Sequence, residues 1–173
     1  MSNDVLLQET KNVVLAGKIT AEKTKKTIEL LRHAIAKKET PPVLYINSGG
    51  GKVVPSLELY HFLRDQETVT GIAGGACHSM ALVVLQGCHI RKAHHYTRFT
   101  IHDIITTIEG SVWQMERGIS KVIEARKKVQ WKVYATLAER AGKPLEEIAK
   151  ISQQTTSMSA SEALAYGLID EII

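Results

Sequence analysis

The chain has 173 residues, 44% of them hydrophobic but only 5% aromatic, and a net charge of +4, which suits one domain over 1–173 with a largely aliphatic core. Its Lys and Arg residues are scattered, with no basic patch interleaved with aromatics, which argues against a nucleic-acid surface. Cys77 and Cys88 form no CxxC pair, Met1–Val5 does not begin a signal peptide, and no apolar run could span a membrane, so the expectation is a cytoplasmic protein without a metal site.

Val13-Val14-Leu15 reads as a first strand, ended by Gly17. Thr20 can cap a helix to about Lys38, with Ile28, Leu31 and Ile35 at helical spacing. After Pro41-Pro42, the run Val43-Leu44-Tyr45-Ile46 has the continuous apolar character of a strand buried on both faces. The cluster Asn47-Ser48-Gly49-Gly50-Gly51 makes a turn, and a helix follows from about Val54 to Arg64. Val69–Ile72 predicts the next strand, then a serine turn, then a helix from Met80 to Gln86. Alternating strands and helices imply an α/β fold with a parallel sheet and right-handed crossovers.

Residues 89–102 read as short strands with turns. Beyond Gly110, Ile119, Val122, Ile123, Val129, Val133 and Leu137 stripe a long helix from about Ser111 to Ala141, which would span about 45 Å. Such a helix protrudes from so small a domain or packs on another subunit. Pro144 starts a further helix, Ser159 and Glu162 have capping-box spacing, Gly167 ends that helix, and Leu168-Ile169 enters a last strand.

The glycine cluster fails the nucleotide motifs. Val53 stands where a phosphate loop needs Ser or Thr, and Val54 where a dinucleotide fingerprint needs glycine. It can be a tight turn, or the amides of Gly50 or Gly51 can face a developing oxyanion. Gly74-Gly75-Ala76 would let a turn pack closely and expose Ser79, with the Met80 amide free at a helix start. Taken alone, Ser79 reads as a helix cap. Cys77 is a rival nucleophile, or a small buried residue. His78 adjoins Ser79 and suits the cleft wall, while His102, placed by the alternating stretch Arg98–Ile101, is the better base. His94-His95 is too sparse for a metal.

Four segments, in one order, carry a family resemblance. Ile46-Asn47-Ser48-Gly49-Gly50-Gly51 resembles the INSPGG segment of Clp protease proteolytic subunits (ClpP). Gly75–Ala81 resembles their GMAASMG nucleophile turn, Arg98–His102 their RVMIH segment, and Ser159–Asp170 their SAPEAVEYGLVD segment. The resemblance implies a ClpP/crotonase-like spiral of βαβ units, with the long helix (region about 103–141) as a handle joining stacked rings. It implies a serine endopeptidase with Ser79 as nucleophile, His102 as base, and the Gly51 and Met80 amides as oxyanion hole. Val53-Val54 and the segment after His102, with Ile104, would hold a substrate strand by backbone pairing. No cofactor is implied. The implied partners are polypeptide substrates, further copies in stacked heptameric rings, and an ATP-driven AAA+ unfoldase.

The sequence departs from that pattern at defined places. Gly49 replaces proline, the Ser79–His102 separation is 23 positions, slightly short, and another gap placement sets His78 or Cys77 opposite the nucleophile. Few residues precede the first strand, which puts the family's N-terminal pore loops in question. The family's catalytic Asp falls on Thr155, which cannot stabilise an imidazolium as a carboxylate does. Asp103, next to His102, should point to the opposite strand face. The resemblance therefore also admits a non-catalytic ring subunit, or a crotonase-type acyl-CoA enzyme.

Overall fold

The computed structural model describes residues 12–37, 41–107 and 109–173. The predicted end of the first helix at Lys38 and the segment before the first strand lie outside them. The strands are β1 (Asn12–Ala16), β2 (Val43–Ser48), β3 (Thr70–His78), β4 (Ile90–Ala93), β5 (Arg98–Ile101), β6 (Thr156–Ser159) and β7 (Glu171–Ile172). The helices are α1 (Ala21–Ala36), α2 (Val53–Gln66), α3 (Met80–Gly87), α4 (Val112–Ala141), α5 (Leu145–Gln153) and α6 (Ala160–Tyr166).

The sheet runs β1-β2-β3-β4-β7 with every pair parallel. β3 divides its edge between two partners. Thr70–Ala73 pairs with β4, whereas Ala76–His78 pairs with β5, on which β6 is laid antiparallel. The chain at the end of β3 is thereby gripped from both sides, and Ser79 comes next.

The structure corrects three sequence expectations. β2 is not buried on both faces: Leu44, Ile46 and Ser48 point inward while Tyr45 is exposed, and β1 alternates likewise around exposed Val14. Helices cover one face of this end of the sheet only. The Gly74-Gly75-Ala76 run is not a turn but part of β3. It carries a bulge, since Ile46 and Ser48 of β2 align with Ala73 and Cys77 of β3. Gly75 takes φ +83°, and the Asn47 side chain occupies the space beside it and accepts the Ala76 N–H at 3.0 Å. Leu168 and Ile169 are buried in the connection after α6, and the last strand begins only at Glu171. The delay follows from the Gly167 cap, which turns Leu168 back to donate to Ala163 O.

The long helix α4 agrees with the expectation that part of it leaves the domain. Its apolar stripe is not one continuous buried face. Val133, Tyr134 and Leu137 pack into the core, but Val112, Trp113, Ile119, Val122 and Ile123 are exposed. The N-terminal part of this 30-residue helix thus carries its apolar residues away from the core. No helix among the described residues is long and apolar enough to cross a membrane.

α3 forms the centre of the core, every residue of it buried between the sheet, α2 and α4. Thr20 caps α1 by accepting the Lys23 N–H, and Ser159 with Glu162 completes the predicted capping box. Arg91 is buried and splits its donors among the Asp170 carboxylate, Gln86 Oε1 (2.7 Å) and the carbonyls of Arg140 and Gly167 (both 3.0 Å). Burial raises the Asp170 pKa, but the Arg91 bonds outweigh it and hold the carboxyl below its ordinary value. That stabilisation is present above the unfolded pKa of about 3.9 and disappears as pH falls through the depressed folded value. Because the Asp170 side chain is 40% exposed and solvent screens the pair, Asp170→Asn should destabilise the fold by only about 1 kcal/mol at neutral pH, and by less in acid. Thermal unfolding across pH at fixed protomer concentration checks this; a pH-independent penalty would contradict it.

Candidate active site

Ser79 links β3 to α3 with φ 53° and ψ −127°, a strained conformation for a residue with a Cβ. Its amide donates to Thr100 O at 2.8 Å, so β5 holds the turn in place. It occupies the N-cap position, yet its hydroxyl caps no amide of α3. The simple capping role is therefore absent, and the hydroxyl is left for other work. Met80 opens α3, where an amide has no intrahelical acceptor.

The glycine turn lies directly against this one. A Cβ on Gly50, whose φ is +94°, would come within 2.9 Å of both His78 O and Ser79 Cβ and within 3.1 Å of Met80 N. Ser48 Oγ fixes the turn, accepting the Gly50 N–H at 3.0 Å and donating to Gly17 O at 2.6 Å. Gly51 bridges to Ile19: Ile19 N–H donates to Gly50 O at 2.9 Å, and Lys52 N–H donates to Ile19 O at 3.0 Å. In such a bridge the bonds to Ile19 come from the residues on either side. The Gly51 amide is therefore directed away from Ile19.

His102 follows β5, and its Nδ1 lies 2.6 Å from Asp103 O. A carbonyl can only accept, so in the neutral ring Nδ1 carries the proton and Nε2 keeps its lone pair. Ser79 and His102 line one narrow cleft with Met80, Ile104, Val133 and Leu137. Its volume is about 10 Å³, room for one water molecule, so a bulky side chain can enter only if the walls move. No hydrogen bond joins Ser79 to His102 among the described residues; such contacts commonly tighten only when substrate binds. His78 stands close enough to be influenced by His102. Burial, and secondarily His102, push its pKa below the ordinary histidine value, so it stays neutral near pH 7.

Thr155 precedes β6 with φ 53° and is exposed. The β5–β6 ladder ends by pairing Ile101 with Thr156, and one further step in the same register would set Thr155 opposite His102. The ladder stops at that pair, Thr155 at φ 53° leaves the extended backbone, and it does not line the cleft; no bond joins it to His102, whose Nδ1 is already engaged by Asp103 O. The Asp103 carboxylate faces α4 and accepts the Tyr134 hydroxyl, consistent with the strand alternation.

Two expectations about substrate pairing need correction. Val53 and Val54 are the first residues of α2, and helical backbone cannot pair as a strand; the extended stretch ends at Lys52. The Ile104 amide is already donated to Gln130 Oε1 at 2.6 Å, so what Ile104 offers is its side chain in the cleft and its carbonyl.

Cys77 is fully buried, and burial, aided by nearby Cys88, raises its thiol pKa far above the ordinary value. It cannot supply a thiolate. Burial pushes Cys88 up to about 12 despite Arg140 and Arg91. His94 stacks on Tyr96, and no metal-ligating cluster occurs among the described residues. Sequence reasoning missed Tyr134 and Gln130, which look like two ordinary residues of a long helix. Their one-turn spacing on one face was the only signal.

Comparison with known proteins agrees with this architecture. The Clp protease family profile matches residues 2–173. The chain is 30% identical over 168 residues to an ATP-dependent Clp protease proteolytic subunit of Pleurastrum terricola, covering 95% of this chain and 84% of that one. It is 32% identical over 134 residues to the chloroplastic ATP-dependent Clp protease proteolytic subunit 6 of Arabidopsis thaliana, covering 76% of this chain and about half (48%) of that relative. With a family match along nearly its whole length, and a parallel sheet that sets a glycine turn against one strained serine, the chain belongs to the Clp protease family.

Proposed function

We propose that the protein is a serine endopeptidase subunit of the Clp type, acting on polypeptides inside an oligomeric chamber. The observation that carries this reading is Ser79, whose hydroxyl caps nothing and shares a cleft with His102. Ser79 Oγ attacks a peptide carbonyl while His102 Nε2 takes its proton. The Gly51 and Met80 amides stabilise the oxyanion. The C–N bond then breaks, His102 protonates the leaving amine, and water hydrolyses the acyl-serine ester with His102 again as base.

Assembly into stacked heptameric rings is supported by the exposed apolar residues on the outer part of α4. An AAA+ unfoldase partner belongs to the same reading, in line with the words "ATP-dependent" in both relatives' names. Two free buried cysteines suit the cytoplasmic location, although one relative is chloroplastic by name.

A fluorophosphonate probe tests the chemistry: labelling should occur on Ser79 and vanish in Ser79→Ala. A second reading, a ring subunit with little activity, draws on Thr155 in place of the acid. Wild-type protein that never labels would establish it. Thr155→Asp should raise turnover by about tenfold or more, because a carboxylate stabilises the imidazolium that Thr155 cannot. An unchanged or lower rate in a folded variant removes Thr155 from the third position.

A further inference from the structure

The geometry points to Tyr134 as a positioning residue that makes the main-chain carbonyl of Asp103 the orienting partner of His102. This inference rests on the peptidase reading for its kinetic part, but its structural part stands independently.

A histidine base needs one nitrogen held as a donor so that the other is presented unprotonated. Here the Nδ1 partner is Asp103 O, at 2.6 Å. A peptide carbonyl orients an imidazole only while its peptide plane is fixed, and residues 102–107 belong to no strand or helix. Two side chains of α4 supply that fixation. Tyr134 donates its hydroxyl to the Asp103 carboxylate, and Gln130 accepts the Ile104 N–H at 2.6 Å. They stand one helical turn apart on one face, and between them hold both sides of the 103–104 peptide.

The phenol is suited to this task. Tyr134 is 3% exposed and packed in the core. Burial first, then the bond to Asp103, push its pKa up to about 12, so it remains a donor throughout the neutral range. Released from it, Asp103 would turn to water, the 103–104 peptide could rotate, and His102 could take either tautomer. The carbonyl selects the tautomer but, being neutral, compensates an imidazolium less than a carboxylate would.

Magic-angle-spinning NMR of the assembled protein labelled with ¹⁵N-histidine, with His102 assigned through His102→Gln, reads the tautomer directly. Wild-type His102 should be in the Nδ1–H form, and Tyr134→Phe should give a mixture. Asp103→Asn, which keeps an acceptor for the phenol, should retain the wild-type signature, whereas Asp103→Ala should resemble Tyr134→Phe. In peptide hydrolysis, Tyr134→Phe and Asp103→Ala should each lower kcat by about tenfold with little change in KM, and their combination should cost no more than either alone. A wild-type Nε2–H tautomer, or a tautomer unmoved by Tyr134→Phe, overturns the inference even if thermal stability falls. If the tautomers behave as stated but wild-type Ser79 neither labels nor turns over, the orienting role holds and the peptidase reading is what fails.

Discussion

Ser79→Ala should lower peptide hydrolysis by a factor of about 10⁴ or more while leaving the fold intact. The size follows from the behaviour of serine-protease triads, in which loss of the nucleophile leaves only what the oxyanion hole and binding can do. The harmless effect on stability follows from this structure. The Ser79 hydroxyl caps no helix amide, so its removal leaves no amide that it had capped exposed. Alanine at φ 53° bears the same backbone strain as serine. The shift in unfolding free energy should stay within about 0.5 kcal/mol. Single-turnover hydrolysis of a fluorogenic peptide, with a thermal melt at equal protomer concentration, measures both. Residual hydrolysis within about tenfold of wild type would assign the reaction to another group. Cys77 could not be that group, since its buried thiol resists ionisation.

The second large effect is expected from Gly50→Ala, which touches neither the hydroxyl nor the imidazole. The new methyl would need to occupy a point 2.9 Å from Ser79 Cβ and His78 O, at a φ of +94° that alanine adopts poorly. Either the glycine turn or the serine turn must retreat. The relation between the Gly51 amide, the Met80 amide and the reacting carbonyl changes in both cases. Loss of one oxyanion donor typically costs about 10²–10³ in kcat, and a shift of both turns should fall in that range. The backbone strain adds about 1–3 kcal/mol of destabilisation. Fluorophosphonate labelling rates and peptide kcat should fall together, because both reactions develop negative charge at the same place. Labelling that slows while peptide turnover is unchanged would show that these turns serve the probe and not the substrate.

The parallel α/β arrangement was legible because strands and helices here differ in apolar spacing and end on recognisable residues. Thr20, Ser159, Glu162 and Gly167 each act at a helix boundary as their types suggest. The bulge in β3 was not legible. Three small residues in a row look like a turn, and the side chain that steadies them, Asn47, lies on another strand. The length of α4 pointed to a part lying off the core, but periodicity tells which residues share a face and not where along the helix the core ends. At the site, local chain features announced Ser79, Gly50 and His102. Thr155 needed the β5–β6 register, and Tyr134 needed a tertiary contact across 31 positions. The strand role given to Val53 and Val54 came from the family resemblance alone; in this chain the helix already begins at Val53.

The bond from His102 to the Asp103 carbonyl has a consequence for how this centre can change over time. An acceptor that belongs to the polypeptide itself is encoded by no codon, so no single replacement at position 103 deletes it outright. Substitutions can only alter how steadily it is aimed. Nor does an amide oxygen titrate, so acidification cannot switch this contact off by protonating it, as it would a carboxylate. Such a centre gives up part of its driving force and in return has one fewer ionisation on which its working range depends.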